Sequence, residues 1–396
     1  MKIGIYLPDI KPEAGGASSL LKTIRAEIES LNDANHEYLF IYNDGNEKTE
    51  ISLFQGFKYL NIAFYKPKIS LIRKLKNKIK SILGMSIVSD EFDLAAKKNG
   101  IDLFWFPNPA CVDISYPYIY TIWDLGHRRT PFFPEVSRSG WTWETREFCY
   151  RKMVYKASYI ITGNEEGKKE ILENYPVPPS KIRISPFPVA SFCRGEEIKP
   201  SFDIPEQFFF YPAQFWPHKN HICILESLVI LREKYGLKPS VFLTGSDKGN
   251  KKYIESKIIE YGLENQVYFT GFLKDEELKW LYTHATAMIF ASLMGPNNMP
   301  PVEATYLNCP VIITDLDGHK EQLQDTALYF NGYKPDELSE HIKILLTEKD
   351  TRDCILKKEK VLATKFDKIN YFSCIKQIID EFALIRKTWG EDYEHL

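Results

Sequence analysis

The sequence predicts an α/β protein with two doubly wound domains that face a central cleft. Short β-branched or aromatic runs alternate with helical segments along most of the chain, which is typical of parallel sheets covered by helices. This alternation of strand and helix patterns is interrupted at residues 186–205, which are rich in proline, glycine, serine and charged residues, and it then restarts. Glycine-containing turns follow several predicted strands, in the place where open α/β sheets bind ligands.

The first domain is predicted to span residues 1–190, followed by a linker at 186–205. Its predicted strands are 2–7, 38–42, 101–106, 118–123, 159–162 and 182–185. A Gly15-Gly16 loop after the first strand opens an amphipathic helix, and a long helix is predicted at 139–156.

The second domain is predicted to span residues 206–375. Its predicted strands are 208–212, 240–244, 267–270, a run ending at 291, and 311–314. Helical patterns fill the intervals between these strands, at 219–235, 253–261, 275–282 and from about 303 onward. A last helix is predicted at 371–389.

Composition excludes several classes of protein. A net charge of −2 on 396 residues does not favour a general nucleic-acid binder. The seven cysteines are scattered without a CxxC pair, which favours reduced thiols over a disulfide framework or a zinc site. Neither a signal peptide nor a run of about 20 apolar residues is recognisable, so we expect a cytoplasmic protein without a membrane span.

Glu303 is the first candidate binding residue. It follows a strand, a Gly/Pro loop and the start of a helix, and a carboxylate is favoured in the first helical turn. Its two oxygens could accept hydrogen bonds from the vicinal hydroxyls of a ribose. An ordinary glutamate that complements the helix dipole is the alternative.

Three further segments that follow predicted strands carry candidate residues. Gly16 could offer backbone N–H groups to a phosphate, or serve only a tight turn. Lys219, at the start of a predicted helix, could pair with a diphosphate or be a solvated lysine. Asp124 and His127 lie in the loop after strand 118–123, where His127 could be a general base, a sugar-binding group or a structural histidine.

Two other segments concentrate charge of one sign. Asp315-Leu316-Asp317 has the DxD spacing of some metal-dependent transferases, but three residues are a weak signal and we expect no metal. Residues 66–88 carry many lysines among apolar residues at helical spacing. This basic segment is compatible with contact to an anionic membrane surface or with an ordinary surface helix.

Together these segments resemble the family-4 glycosyltransferases, retaining sugar-nucleotide enzymes of the GT-B fold with two Rossmann-like domains. The resemblance is carried by Gly15-Gly16 and by the segments 211–219, 267–278, 300–312 and 318–330, and it is more specific in the C-terminal half. It implies that the last helix, with residues 376–396, crosses back onto the first domain.

The chain departs from the family's pattern at four places. The first glutamate of the E-x7-E signature falls at Gly295, and Asn297 and Asn298 occupy the loop that follows. The family's phosphate-binding arginine maps to Gln214, and its His-Asp pair maps to Trp123-Asp124. These changes place the contacts to the donor sugar in question.

The resemblance implies transfer of a sugar, with retention, from a nucleoside diphosphate sugar to a glycan or a lipid-linked oligosaccharide, as in O-antigen or capsule synthesis. Lys219, His127 and Asp124 would act in catalysis. Donor contacts would come from Glu303, Gly16, Gln214, Asn297, Asn298, Met299, Phe272 and Glu321. No cofactor, metal or nucleic acid is expected, and the basic segment would hold the enzyme peripherally at the inner face of the membrane.

Two other functions are compatible with the same residues. One is a non-hydrolysing sugar-nucleotide epimerase on the same fold. The other is a non-catalytic glycan- or nucleotide-binding relative, which Gly295 and Gln214 suggest.

Overall fold

The computed structural model describes residues 1–6, 16–30, 33, 35–42, 59–61, 90–112, 114–137 and 142–390. The predictions for Gly15 and for the basic segment 66–88 lie outside these residues, as do 391–396. No helix within the described ranges is both long and apolar enough to cross a bilayer.

Within the described residues, the first sheet has seven parallel strands: β1 (Lys2–Tyr6), β2 (Glu37–Tyr42), β3 (Tyr59–Asn61), β4 (Leu103–Phe106), β5 (Tyr118–Thr121), β6 (Tyr159–Thr162) and β7 (Ile182–Ile184). Their order is β3-β2-β1-β4-β5-β6-β7. The helices of this part are α1 (Gly16–Ser30), α2 (Asp90–Asn99), α3 (Gly126–Arg129), α4 (Pro134–Ser137), α5 (Trp143–Val154) and α6 (Glu165–Asn174).

The second sheet has six parallel strands: β8 (Phe208–Pro212), β9 (Ser240–Thr244), β10 (Val267–Gly271), β11 (Ala287–Phe290), β12 (Val311–Thr314) and β13 (Leu328–Phe330). Their order is β10-β9-β8-β11-β12-β13. The helices are α7 (His221–Tyr235), α8 (Lys251–Tyr261), α9 (Asp275–His284), α10 (Met299–Tyr306), α11 (Asp317–Leu323), α12 (Pro335–Thr347), α13 (Lys349–Phe366) and α14 (Tyr371–Arg386).

Each sheet is doubly wound, as the sequence predicts. The chain enters at a central strand, β1 or β8, winds to one edge and then returns to the other side of that strand. The crevice at such a reversal, beyond the carboxyl ends of the strands, is where ligands bind in open α/β sheets. In the second sheet the reversal lies between β8 and β11, so the loops that follow these two strands are brought together.

The strands of both sheets are apolar because helices cover both faces. All four residues of β4, β5, β11 and β12 are buried. In β8, Phe208 to Tyr211 are at most 1% exposed, and these aromatic side chains form the centre of the second core. The cores therefore hold the loops at the carboxyl ends of the strands in fixed positions.

The last helix, α14, lies against the first sheet. The Phe372 backbone N–H donates to Glu27 Oε2 at 2.7 Å, and Arg386 Nε donates to Asp102 Oδ1 at 2.8 Å. The rings of Trp105 and Tyr371 stack at 6.2 Å. This helix begins at Tyr371, the residue at which the sequence predicts it to begin.

Lys219 is not in the helix that the sequence predicts over 219–235. It ends a short 3-10 turn, Pro217–Lys219, and α7 begins only at His221. Asn220 between them has a φ of 54°, a left-handed conformation that interrupts the helix and that asparagine tolerates better than most residues. The position of Lys219 is therefore set by this turn and not by the start of a helix.

Candidate functional site

A cleft of about 490 Å³ lies between the two domains. The first domain contributes α1 and the end of β5, and the linker contributes two phenylalanines. The second domain contributes the loops after β8, β9, β10 and β11, which meet at the carboxyl edge of its sheet. The lining residues include Leu20, Trp123, Asp124, Phe187, Phe192, Gln214, Lys219, Ser246, Phe272, Asn297, Asn298, Met299 and Glu303.

Lys219 is the one lysine or arginine among the described residues that line this cleft. Its Nζ donates to Ser292 Oγ at 3.3 Å and lies 4.9 Å from the centre of the Phe290 ring. Burial lowers the pKa of Lys219 to about 8, against the opposing effect of the Asp124 and Glu135 carboxylates. The ammonium group is therefore still mainly charged at pH 7, and it suits an anionic ligand.

The turn that carries Lys219 is fixed on several sides. The Lys219 backbone N–H donates to Trp216 O at 3.0 Å, and the Tyr211 hydroxyl donates to Lys219 O at 2.7 Å. Asn220 Nδ2 donates to Gly332 O at 2.8 Å. These bonds hold the lysine backbone in place, so only its side chain needs ordering when a ligand binds.

Glu303 lies on the same side of the cleft and is 5% exposed. Its Oε2 accepts a hydrogen bond of 2.8 Å from the Tyr282 hydroxyl. Burial raises the pKa of Glu303 to about 7, although the Tyr282 hydrogen bond lowers it. Because α10 begins at Met299, Glu303 lies beyond the first helical turn, and the dipole effect that the sequence suggests is weaker than its desolvation.

The loop from Gly295 to Asn298 has defined internal contacts. Gly295 has a φ of 109°, which side-chain-bearing residues rarely adopt. Asn297 Oδ1 accepts from Gln322 Nε2, and Asn298 Nδ2 donates to His319 Nε2 at 3.0 Å. Burial lowers the pKa of His319 to about 4, so its ring is neutral and can accept this bond. Both asparagines line the cleft while their amides are held from behind.

Gln214 lines the cleft but carries no charge. Its Nε2 donates to Ser246 Oγ at 3.2 Å, and its Oε1 accepts from Trp216 Nε1 at 3.0 Å. Gln214 therefore organises the wall formed by the loops after β8 and β9. It leaves Lys219 as the cation of this wall.

Asp124 lines the opposite wall, in the first domain. Its Oδ1 accepts the Gly126 backbone N–H at 2.8 Å and lies 3.5 Å from Arg146 Nη2. Burial opposes the ionisation of Asp124, but Arg146 and the Gly126 hydrogen bond outweigh it and lower the pKa. Asp124 is therefore a carboxylate at neutral pH.

His127 does not line the cleft, contrary to the sequence-based expectation. It is 0% exposed, and its ring stacks on Tyr150 at 5.3 Å. Its Nε2 lies 3.2 Å from Glu147 Oε2. Because β5 ends at Thr121 and α3 starts at Gly126, the chain turns His127 into the domain interior. It is a structural histidine.

Glu321 is also outside the residues that line the cleft. Its two carboxylate oxygens accept the backbone N–H groups of Glu165 and Glu166, at 2.8 and 3.0 Å. These groups begin helix α6 of the first domain, so Glu321 joins the domains at a helix N-terminus. The sequence could not show this, because the partner groups are backbone amides of another domain.

The other predicted residues are placed as follows. Met299 and Phe272 line the cleft, Met299 buried and Phe272 61% exposed at its rim. Gly16 is the first residue of α1, and the cleft is lined further along that helix by Ser19 and Leu20. Within the described ranges no three histidine, cysteine or carboxylate side chains cluster as a metal site would, and the Asp315 and Asp317 pair belongs to no such group.

Sequence reasoning missed two groups of this site. Tyr282, the partner of Glu303, comes from the end of a separate helix, and no motif marks it. Glu135, from α4 of the first domain, contacts His218 beside Lys219. No motif marks this glutamate, which follows a proline-containing aromatic loop, because its partner is 83 residues away along the chain.

Comparison with known proteins finds a family match that lies mainly in the second domain. Residues 195–360 match the family described as "Glycosyl transferases group 1". The O-antigen chain mannosyltransferase RfbU of Salmonella typhimurium is 26% identical over 186 residues, which are 46% of this chain and 50% of that protein. The O-antigen chain mannosyltransferase B of Escherichia coli is 21% identical over 58% of this chain and 61% of its own length. The match thus spans about half of the first relative and somewhat more of the second.

Solved structures extend the similarity to nearly the whole chain. Sucrose-phosphate synthase from Thermosynechococcus elongatus superimposes with a TM-score of 0.72 at 14% identity, covering 98% of this chain and 100% of that one. WaaG, a glycosyltransferase involved in lipopolysaccharide biosynthesis, gives a TM-score of 0.64 at 14% identity, covering 96% and 98%. These identities show the fold alone. The chain therefore matches the group 1 glycosyltransferases over residues 195–360 and has the GT-B fold over nearly its whole length.

Proposed function

We propose that this protein transfers a sugar from a nucleoside diphosphate sugar to a hydroxyl group of a glycan or lipid-linked saccharide, with retention of configuration. The observation that carries the proposal is the convergence of Lys219, Glu303 and Asp124 on one interdomain cleft. The O-antigen mannosyltransferases among the relatives favour a mannosyl group and a role in cell-surface polysaccharide synthesis.

The donor nucleotide would lie along the second domain. Its diphosphate would lie beside Lys219, where a fixed cation in a poorly solvated cleft would attract it strongly. Its ribose would lie beside Glu303, whose carboxylate would accept hydrogen bonds from both hydroxyls. Such bonds favour the ionised form, so donor binding would lower the pKa of Glu303 from its value of about 7.

The donor sugar would face the loop from Gly295 to Asn298. This loop has no carboxylate, so the contacts would come from backbone amides and from the amide groups of Asn297 and Asn298. Gln322 and His319 hold those two side chains from behind, which sets their orientation toward the sugar.

In the reaction, the bond between the sugar's anomeric carbon and the diphosphate oxygen breaks. The acceptor oxygen forms its bond on the same face, and its proton passes to the departing diphosphate. Lys219 would stabilise the negative charge that grows on the diphosphate, which is electrostatic stabilisation of the transition state. Asp124, across the cleft, would orient the acceptor hydroxyl as a hydrogen-bond acceptor.

A panel of UDP-, GDP- and dTDP-sugars tests this function, with nucleoside diphosphate release measured with and without saccharide acceptors. We expect release from one donor class that increases when the acceptor is present, and a product that retains the anomeric configuration. Interconversion of a free nucleotide sugar without acceptor would instead identify an epimerase. Thermal stabilisation by a nucleotide with no turnover of any donor would identify a binding protein.

We also propose that the acceptor is presented at a membrane surface, because the segment 66–88 is basic. Co-sedimentation with vesicles containing anionic lipid tests this, using a variant neutralised at Arg73, Lys74, Lys76 and Lys78. We expect the variant to bind less. Equal sedimentation of both proteins would contradict this part of the proposal.

A further inference from the structure

A buried glutamate of the first domain contacts the turn that carries Lys219 in the second. Glu135 Oε1 accepts the His218 backbone N–H at 3.0 Å and lies 2.5 Å from His218 Nδ1. Glu135 is 9% exposed and His218 is 7% exposed. One carboxylate oxygen thus accepts hydrogen bonds from both the backbone and the ring of the residue that directly precedes Lys219.

The protonation states of this pair follow from its surroundings. Burial lowers the pKa of His218, so its ring is neutral at pH 7 and Nδ1–H can donate. Burial opposes the ionisation of Glu135, but the hydrogen bonds from His218 outweigh it and lower the pKa of Glu135. Asp124 and Lys219 are the other charged groups that act on His218. The contact is a charge-assisted bond between a carboxylate and a neutral imidazole.

The contact extends to the rest of the donor site. The His218 carbonyl accepts the Leu293 backbone N–H at 2.8 Å, so the same residue also holds the start of the loop that contains Gly295. Next to it, Lys219 Nζ donates to Ser292 Oγ. Glu135 therefore fixes, through His218, both segments that border the proposed diphosphate position, although it does not itself line the cleft.

The contact forms only when the two domains are together. A buried carboxylate without a donor is costly, and the second oxygen of Glu135 has no hydrogen-bond partner among the described residues. If the domains separate, Glu135 returns to water and the turn at His218 loses its two bonds. The geometry thus links the position of Lys219 to the approach of the first domain.

We propose that Glu135 is a positioning residue for the donor site: it holds the His218–Lys219 turn from the opposite domain and couples domain closure to binding of the nucleoside diphosphate. This inference rests on the proposed function, because it takes the ligand of Lys219 to be a diphosphate. It adds a residue that neither touches the donor nor belongs to the domain that binds it.

The test measures binding of UDP, GDP and dTDP to the full-length chain by calorimetry. Three substitutions separate the roles of the side chain. Glu135→Ala removes the hydrogen-bond acceptor. Glu135→Asp keeps the carboxylate but moves it away from His218, because the side chain is shorter. Glu135→Gln has the same length and keeps an acceptor oxygen without the charge. Lys22→Ala is the matched control, because Lys22 also pairs across the domains, with Asp275 at 3.5 Å, but on the exposed surface.

We expect Glu135→Ala and Glu135→Asp to weaken binding of the preferred nucleotide by roughly tenfold or more, the usual effect of losing hydrogen bonds to a charged group. Glu135→Gln should largely restore binding, and Lys22→Ala should bind as the parent does. Thermal unfolding without nucleotide identifies any variant that does not fold, and Glu135→Asp replaces Glu135→Ala if the latter fails.

Unchanged binding by Glu135→Ala or Glu135→Asp would overturn the inference. Equal weakening by Lys22→Ala would also overturn it, because the effect would then come from any interdomain contact. If the parent chain binds none of the three nucleotides, the proposed function itself fails, and the inference fails with it. Nucleotide binding by the parent protein thus distinguishes failure of the inference from failure of the proposed function.

Discussion

Tyr282 and Glu303 form a buried hydrogen-bonded pair at the base of the cleft, with 2.8 Å between the hydroxyl and Oε2. Tyr282 is 0% exposed, and its ring is held edge-on against Phe210 at 5.0 Å. The bond fixes one oxygen of Glu303. This arrangement makes the carboxylate, which burial would otherwise keep protonated, available to a ligand near neutral pH.

Tyr282→Phe should weaken nucleotide binding by roughly fivefold at pH 7, because one hydrogen bond to Glu303 is lost. Without that bond the pKa of Glu303 rises further, so more of the carboxyl is protonated and the defect should shrink at pH 8.5. Calorimetry with the preferred nucleoside diphosphate at both pH values measures this. Tyr118→Phe is the control, since Tyr118 is a buried tyrosine of the first domain that donates to Met153 O at 2.6 Å. A defect that does not depend on pH would contradict the account.

Glu303→Gln should change stability and binding in opposite directions. Burial raises the pKa of Glu303 from 4.5 to about 7, so the folded chain retains this proton longer than the unfolded chain. The parent therefore loses stability as the pH rises from about 4.5 to 7, by up to about 3 kcal/mol, and the glutamine variant does not. The unfolding temperature of the variant minus that of the parent should therefore be larger at pH 8 than at pH 5.

The same variant should bind the nucleotide roughly tenfold more weakly at pH 8, because a neutral amide replaces the carboxylate. Glu359→Gln serves as a control for binding, since Glu359 is a buried glutamate of α13 that does not line the cleft. Tight binding by Glu303→Gln would remove Glu303 from the donor site.

Gly295→Ala should destabilise the protein by about 1–3 kcal/mol, because a φ of 109° is strained for any residue with a Cβ. The added Cβ would also lie 3.0 Å from the Asn298 amide. Urea unfolding of this variant and of Gly390→Ala, where the added Cβ meets open space, measures the difference. Equal stability of the two variants would show that the loop can relax without cost.

The conformation of Gly295 changes how the missing signature glutamate is interpreted. By comparison with the family's signature, Gly295 looks like a lost carboxylate. The structure adds that the backbone there is left-handed, so a glutamate placed at this position would be strained. The loop is built for glycine, and its polar groups come from Asn297 and Asn298 instead.

The fold followed from the sequence because each parallel strand is a short apolar run bounded by turn residues. The site was only partly predictable. Residues that follow strands β8 and β11 meet at the reversal of the strand order, which topology dictates, and Lys219, Gln214 and Asn297 fall in this class. His127 was misplaced because strand β5 is shorter than its apolar run suggests.

Contacts between distant segments could not be predicted at all. Two such contacts depend on how the two domains face each other. One joins Glu135 to His218, and the other joins Glu321 to the start of α6. Nothing in the local sequence encodes that relation, because hydrogen-bond partners across domains need no fixed spacing. Such contacts appear only once the fold is known.

Lys219→Ala tests the central claim most directly, because the proposed reaction depends on one cation beside the leaving diphosphate. With the preferred donor and acceptor, kcat/KM from nucleoside diphosphate release should fall by roughly a hundredfold or more. The control Lys257→Ala, a lysine of α8 paired with Glu260 at 2.8 Å, should keep the parent's activity. Full activity of Lys219→Ala would contradict the account.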